Sequence, residues 1–283
     1  MDRRDDARSA LGRTGQKGSR CFLAHTREAI SDPCQSGDQT RELSPSRNVC
    51  SVSALSGDST SYLTVNRLNK FSFNIDKGDS MSYAIIGAGK EAQAIAKAFA
   101  RKGVEVAIAS RKTAEALAPV AKAIGPTVIP KSLKDGVKAD IVILAIPFGK
   151  QTEVAEAGES WQGKIVIDVT NAYGVSLEDL GNLPSSVVIS RAFPGAKLVK
   201  AFNHLSAEVL AEDPNVKGLR RVVFISSDND DAASQVATLA EELGFAPVKL
   251  GKLAVGGLLI QARGETWAPL IFQDLFKKAE TNV

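Results

Sequence analysis

The run Tyr83-Ala-Ile-Ile-Gly87-Ala88-Gly89-Lys90-Glu91-Ala92 sets three small residues where a short apolar stretch gives way to an Ala-rich pattern. A strand that turns on glycines into a helix leaves the first helical N–H groups without backbone partners, and such amides hold a pyrophosphate. Gly87 permits the tight turn, Gly89 keeps a Cβ out of the path of the phosphates, and Ala92 lets the helix lie close to the sheet. A second apolar stretch, 104–109, ends in Ser110-Arg111-Lys112. At such a tip an acidic residue accepts hydrogen bonds from the ribose hydroxyls of an unphosphorylated cofactor. A hydroxyl, a planar guanidinium and an ammonium stand there instead, and they suit a 2′-phosphate. The pattern predicts a site that takes NADP(H) in preference to NAD(H). The blander readings are a ligand-free glycine turn and a solvated basic pair ahead of Thr113 as a helix cap.

Elements that would position these groups follow in alternation. Helices are expected over 92–101, over 113–124 with a kink at Pro119, and over 230–243; strands are expected at 127–129, 140–146, 164–169, 198–202, 221–226 and 246–250. The run from Asp140 to Ile146 is continuously apolar after its first residue, as in a strand buried on both faces, so the fold class is α/β, a doubly wound and mostly parallel sheet. Residues 81–250 would form a Rossmann NADP-binding domain. Residues 251–283 would form a small helical appendage that includes Trp267. Ligands on such sheets lie beyond the carboxyl ends of the strands. Three tips there carry notable groups: Ala145-Ile146-Pro147, Asp168-Val169-Thr170-Asn171 and Ala201-Phe202-Asn203-His204. Pro147 can shape a loop under the cofactor, and Asn171 and Asn203 can bind a ribose or a carboxamide, though each is also ordinary loop chemistry.

Composition divides the chain at Met81. Residues 1–80 hold all three cysteines, Cys21, Cys34 and Cys50, with much Ser, Arg and Asp and little apolar periodicity, so they are expected to be disordered, or to precede a true start at Met81. Residues 81–283 carry 23 basic and 22 acidic side chains, a balance that argues against a nucleic-acid footprint. With no cysteine in that region, thiolate metal sites and Cys nucleophiles are excluded there, and no metal site is expected. The longest apolar run is too short to span a bilayer, so a cytoplasmic protein without membrane partners is expected.

Taken together, Gly87-Ala-Gly89-Lys-Glu-Ala92, Ser110-Arg111, Ala145-Ile146-Pro147, Ile167-Asp168-Val169-Thr170-Asn171 and Val199-Lys200-Ala201-Phe202-Asn203 resemble the NADP-dependent oxidoreductases related to NADPH:deazaflavin coenzyme reductase. The resemblance implies a Rossmann domain whose small carboxyl-terminal appendage helps form a homodimer, and hydride transfer between NADP(H) and coenzyme F-420, a flavin or another small acceptor. It implies that Gly87, Ala88, Gly89, Lys90, Glu91 and Ala92 meet the pyrophosphate, that Ser110, Arg111 and Lys112 meet the 2′-phosphate, and that Ala145, Ile146, Pro147 and Asn171 face the nicotinamide half. Asn203, His204 and Leu205 would line the second substrate. Two departures stand out: Lys90-Glu91 replaces the Asn and apolar residue frequent in that glycine turn, and Ala172 stands where Pro often follows Asn171.

Hydride transfer between two ring systems needs the reacting carbons held face to face, which binding alone supplies, so no catalytic residue is assigned. His204 has no partnered carboxylate in the sequence and is read as structural or substrate-lining. An NADP-dependent 3-hydroxyacid dehydrogenase or imine reductase would carry a similar glycine motif. It would also carry a long helical domain, for which the strand–helix alternation up to Leu250 leaves no room. An NADP(H)-binding sensor without turnover is the alternative from another class.

Overall fold

The computed structural model describes residues 81–264 and 266–278; the expectations for residues 1–80 and for the last five residues lie outside these. In chain order the elements are β1 (Tyr83–Ile86), α1 (Lys90–Lys102), β2 (Val106–Ser110), α2 (Ala114–Ile124), β3 (Val128–Ser132), α3 (Leu133–Gly136), β4 (Ile141–Leu144), α4 (Gln151–Glu156), β5 (Ile165–Asp168) and β6 (Ala172–Tyr173). There follow α5 (Ser185–Ser190), β7 (Lys197–Ala201), α6 (Ala207–Ala211), β8 (Asn215–Val216), β9 (Leu219–Ser227), α7 (Asp230–Glu242), β10 (Ala246–Lys249), α8 (Gly256–Leu259), β11 (Ala262–Gly264), β12 (Thr266–Trp267) and β13 (Phe276–Lys278).

The main sheet runs β10-β9-β7-β5-β4-β1-β2-β3, so the strand order reverses between β1 and β4. Its central strands, β1, β4, β5 and β7, are buried on both faces, and their alternate residues feed two cores. Ile85, Ile143, Ile167 and Val199 pack under α1 and α7, while Ala84, Ile86, Val142, Leu144 and Leu198 pack on the opposite side against Trp161, Ile189 and Phe193. That double coverage is why the strands read as unbroken apolar runs. All neighbours along the path are parallel except β7 and β9, which are antiparallel. The connection between those two contains only the five-residue α6 and the two-residue β8, too little helix to return the chain in parallel.

Local chemistry sets the helix boundaries. Thr113 Oγ1 accepts from the Ala116 amide at 3.3 Å and Asn229 Oδ1 from the Ala232 amide at 2.8 Å, capping α2 and α7. Helix α2 stays a single element through Pro119. The expected helix around Trp267 is corrected: Trp267 lies in β12, paired with Ala262 of β11, which in turn pairs with β6. Gly264 at φ +49° and Pro269 break any helical run there, and the only helix among the described residues after Gly251 is α8.

A buried ion pair ties the carboxyl ends of β5 and β7. Lys200 Nζ lies 3.1 Å from Asp168 Oδ2, and both side chains are fully buried. Ser186 Oγ donates to the same carboxylate oxygen at 2.7 Å, the Thr170 amide and hydroxyl donate to the other at 2.8 and 2.7 Å, and Lys200 Nζ donates to the Thr170 carbonyl at 2.9 Å. A buried charge stripped of its partner is strongly destabilising, whereas removing both charges together costs far less. Lys200→Met is therefore expected to lower the unfolding free energy by about 3–5 kcal/mol. The double variant Lys200→Met, Asp168→Asn should recover a large part of that loss, as read from urea unfolding midpoints.

Candidate cofactor and substrate site

At the carboxyl ends of β1 and β4 the two strands approach so closely that only glycine fits. Gly87 has φ +139°, and a Cβ there would meet the carbonyl oxygen of Ala145. The turn is fixed by the Gly87 amide donating to Ala109 O at 2.8 Å and the Ala145 amide donating to Ile86 O at 3.0 Å. Gly89 caps α1 in extended conformation with no side-chain cap, and a Cβ at Gly89 would meet only open space. The first intrahelical bond runs from Gln93 N to Gly89 O, which leaves the amides of Lys90, Glu91 and Ala92 to find partners from outside. A cradle of this kind fits a pyrophosphate.

A hollow of about 400 Å³ opens over this turn. Gly87, Ala88 and Gly89 form its floor, Ser110, Arg111 and Lys112 one rim, and Ala145, Ile146 and Pro147 another. Two charged residues that sequence reasoning missed, Lys150 and Glu153, close the cationic rim; their signal is their place just past the β4 tip. Glu153 sits 3.5 Å from both Arg111 and Lys150. With Lys112 the rim holds three cations against one carboxylate. Arg111 is largely exposed, so its guanidinium can leave Glu153 for a stronger, bidentate anion. Ala92 is completely buried against the sheet rather than in the hollow, as its small side chain requires.

A second hollow, about 440 Å³, shares Gly89, Ala145, Ile146 and Pro147 with the first and continues past Lys90, Glu91, Asn171, Tyr173, Asn203, Leu205 and Phe272. The two make one cleft along the edge of the sheet, at its point of order reversal. A larger hollow of about 790 Å³ lies apart from this turn, flanked by β2, β3 and the starts of α2 and α3.

In the second hollow the asparagines are spent largely on the protein itself. Asn171 Nδ2 donates to Asn203 O at 2.9 Å, while Asn171 Oδ1 accepts from Asn203 Nδ2 at 3.1 Å and from the Ala262 amide at 3.1 Å. Asn203 Nδ2 also donates to Ile260 O at 2.6 Å, so this pair fastens the C-terminal segment across the cleft. Phe202, held at φ +62°, makes the sharp turn that brings Asn203 there.

His204 is corrected: it does not line the cleft. Its ring is fully buried 4.8 Å from that of Phe224, and its carbonyl accepts from the Phe272 amide at 2.6 Å. Burial pushes the imidazole pKa down to about 4; the Val222 backbone and Asp274 pull the other way but do not offset it, and neither ring nitrogen makes a hydrogen bond of good geometry. An orphaned neutral imidazole in an apolar setting suits packing, not proton transfer.

Residues 82–172 match the model of the NADP oxidoreductase, coenzyme F420-dependent family. A solved structure of a hypothetical protein from Sinorhizobium meliloti is 39% identical, with a TM-score of 0.65, over 70% of this chain and 97% of that one. The chain belongs to this family. An F420-dependent NADP-reductase structure from an Arthrobacter species is similar at 27% identity and a TM-score of 0.50, over 62% of this chain and 86% of that one. Among curated relatives, the metalloreductase STEAP2 of Mus musculus is 32% identical and the metalloreductase STEAP3 of Rattus norvegicus 26% identical. The chain matches about a third of the length of those relatives, 34% in each case. At the level of the family, the chemistry is NADP-dependent oxidation and reduction on a Rossmann fold. No described helix is long and apolar enough to cross a membrane.

The His204 geometry carries a pH prediction. The folded value of about 4 lies below the ordinary 6.5, so the neutral ring stabilises the fold above pH 6.5, and this contribution fades as pH falls toward 4. Its full size is on the order of 3 kcal/mol. His204→Phe, which keeps an aromatic ring against Phe224, should gain stability relative to the parent as pH is lowered from 6.5 to 4, measured by denaturant unfolding at a series of pH values.

Proposed function

We propose that this protein passes hydride between NADP(H) and a small planar acceptor of the deazaflavin or flavin type, the acceptor lying in the second hollow. The observation that carries this reading is the shared wall. Gly89 and Ala145 to Pro147 border both hollows, so a dinucleotide laid with its 2′-phosphate at Ser110–Lys112 and its pyrophosphate on the α1 amides ends at the entrance to the second hollow. When bound, the cofactor supplies the hydride. The chain's part is to orient: Pro147 and Ile146 back the ring, and the buried surface keeps water from the reacting face.

Tyr173 and Phe272 flank the second hollow, and Trp267 lies between them with ring centroids 6.0 and 5.1 Å away. An aromatic wall of this kind favours a flat acceptor. Asn203 and Leu205 complete the lining. We also read residues 81–250 as the cofactor domain and residues 251–283 as its appendage, in a cytoplasmic homodimer. Exposed apolar groups on the appendage, Val255, Leu258, Leu259 and Leu275, offer the surface for that pairing. The metalloreductase relatives bring ferric chelates into the set of acceptors worth testing.

Purified protein should consume NADPH, followed by its absorbance, with at least one of a panel of deazaflavins, flavins, quinones and ferric chelates. Saturable NADPH binding with no acceptor reduced would favour a sensor instead.

A further inference from the structure

Glu91 is out of keeping with its place. It stands in the first turn of α1, beside amides read as a phosphate cradle, and a carboxylate there would repel the phosphates. It faces the second hollow, along with Gly89, Pro147, Tyr173 and Leu205. Neither a hydrogen bond nor an ion pair involves its carboxyl among the described residues. The adjacent Lys90 reaches instead toward Glu208 of α6, 3.9 Å away, with both side chains well exposed. The titratable groups that bear on Glu91 are therefore Glu208 from α6, Tyr173 from β6 and Lys90 from its own helix, the last already engaged by Glu208. Burial, and then the Glu208 charge, lift the Glu91 pKa to about 7. The carboxyl is thus poised to hold a proton near neutrality, as a general acid must.

We propose that Glu91 supplies the proton that accompanies hydride transfer, giving it to a nitrogen or oxygen of the planar acceptor in the second hollow. This rests on the functional reading above. In the reducing direction the nicotinamide C–H bond breaks and its electron pair forms a C–H bond on the acceptor, while the Glu91 O–H bond breaks and the proton joins the acceptor heteroatom. NADPH is oxidised to NADP⁺, the acceptor is reduced by two electrons, and solvent reprotonates the carboxylate. The charge balance favours this coupling. A neutral Glu91 tolerates the reduced, uncharged ring, and the carboxylate left behind lies across from a ring that has become cationic.

Two measurements on Glu91→Gln, a near-isosteric change, test the assignment. In calorimetric titrations the parent should bind NADP⁺ relative to NADPH roughly tenfold more favourably at pH 8 than at pH 6, a shift equivalent to one pKa unit. The variant should show no such dependence on pH. In NADPH oxidation with the acceptor found by the panel, the parent's kcat should fall as pH rises through about 7. The variant should be slower by about 10²-fold or more, and without that alkaline limb. Equal pH responses in the two proteins, or a variant with undiminished kcat, would overturn the role of Glu91 while leaving the site intact. Failure of the parent to bind NADPH would overturn the reading of the site and this role with it.

Discussion

The Asp168–Lys200 pair holds the carboxyl edge of the sheet in one arrangement, and the second half of the cleft depends on it. Both charges are fully buried, so each survives only because the other, with Ser186 and Thr170, satisfies it. Locking β5 to β7 at that level sets the two loops that follow at a fixed separation. Only then can Asn171 and Asn203 bond reciprocally and hold the segment around Ile260 and Ala262. Replacing the pair with apolar residues would serve stability as well, but would not orient the Thr170 backbone, which accepts from the lysine and donates to the carboxylate.

Across the cleft a different constraint operates. Gly87 brings β1 and β4 so close that the turn has no room for a side chain, and the space above it is left to backbone amides. Steric exclusion makes the first hollow, and charge tunes it: Arg111 and Lys150 each pair with Glu153 at 3.5 Å, and Lys112 adds a third cation to the same rim. The protein thus divides its labour between rigid strand tips, which fix distances, and exposed basic side chains, which can swing.

Much of this was legible in the sequence. The glycine turn and the basic tip of β2 share one hollow because strand–helix alternation dictates that neighbouring parallel strands end side by side. Helix α7 reads clearly because Asn229 caps it and its apolar residues keep helical period. Other features were hidden for physical reasons. Lys150 and Glu153 enter the site through the β4 loop, whose path depends on tertiary packing. His204 lies between two cleft residues in sequence, but the left-handed turn at Phe202 sends its side chain into the core. The strands around Trp267 are two or three residues long and owe their form to pairing with β6, a contact that no local pattern encodes.

We propose that the cationic tip of β2 grips the 2′-phosphate, and parallel titrations of the parent and Arg111→Ala with NADPH and with NADH test this most directly. The parent should bind NADPH the more tightly. Loss of the guanidinium should weaken NADPH by roughly tenfold or more, in line with a charge-assisted hydrogen bond, and leave NADH nearly unchanged. Equal losses for the two cofactors, or a parent that prefers NADH, would contradict the account.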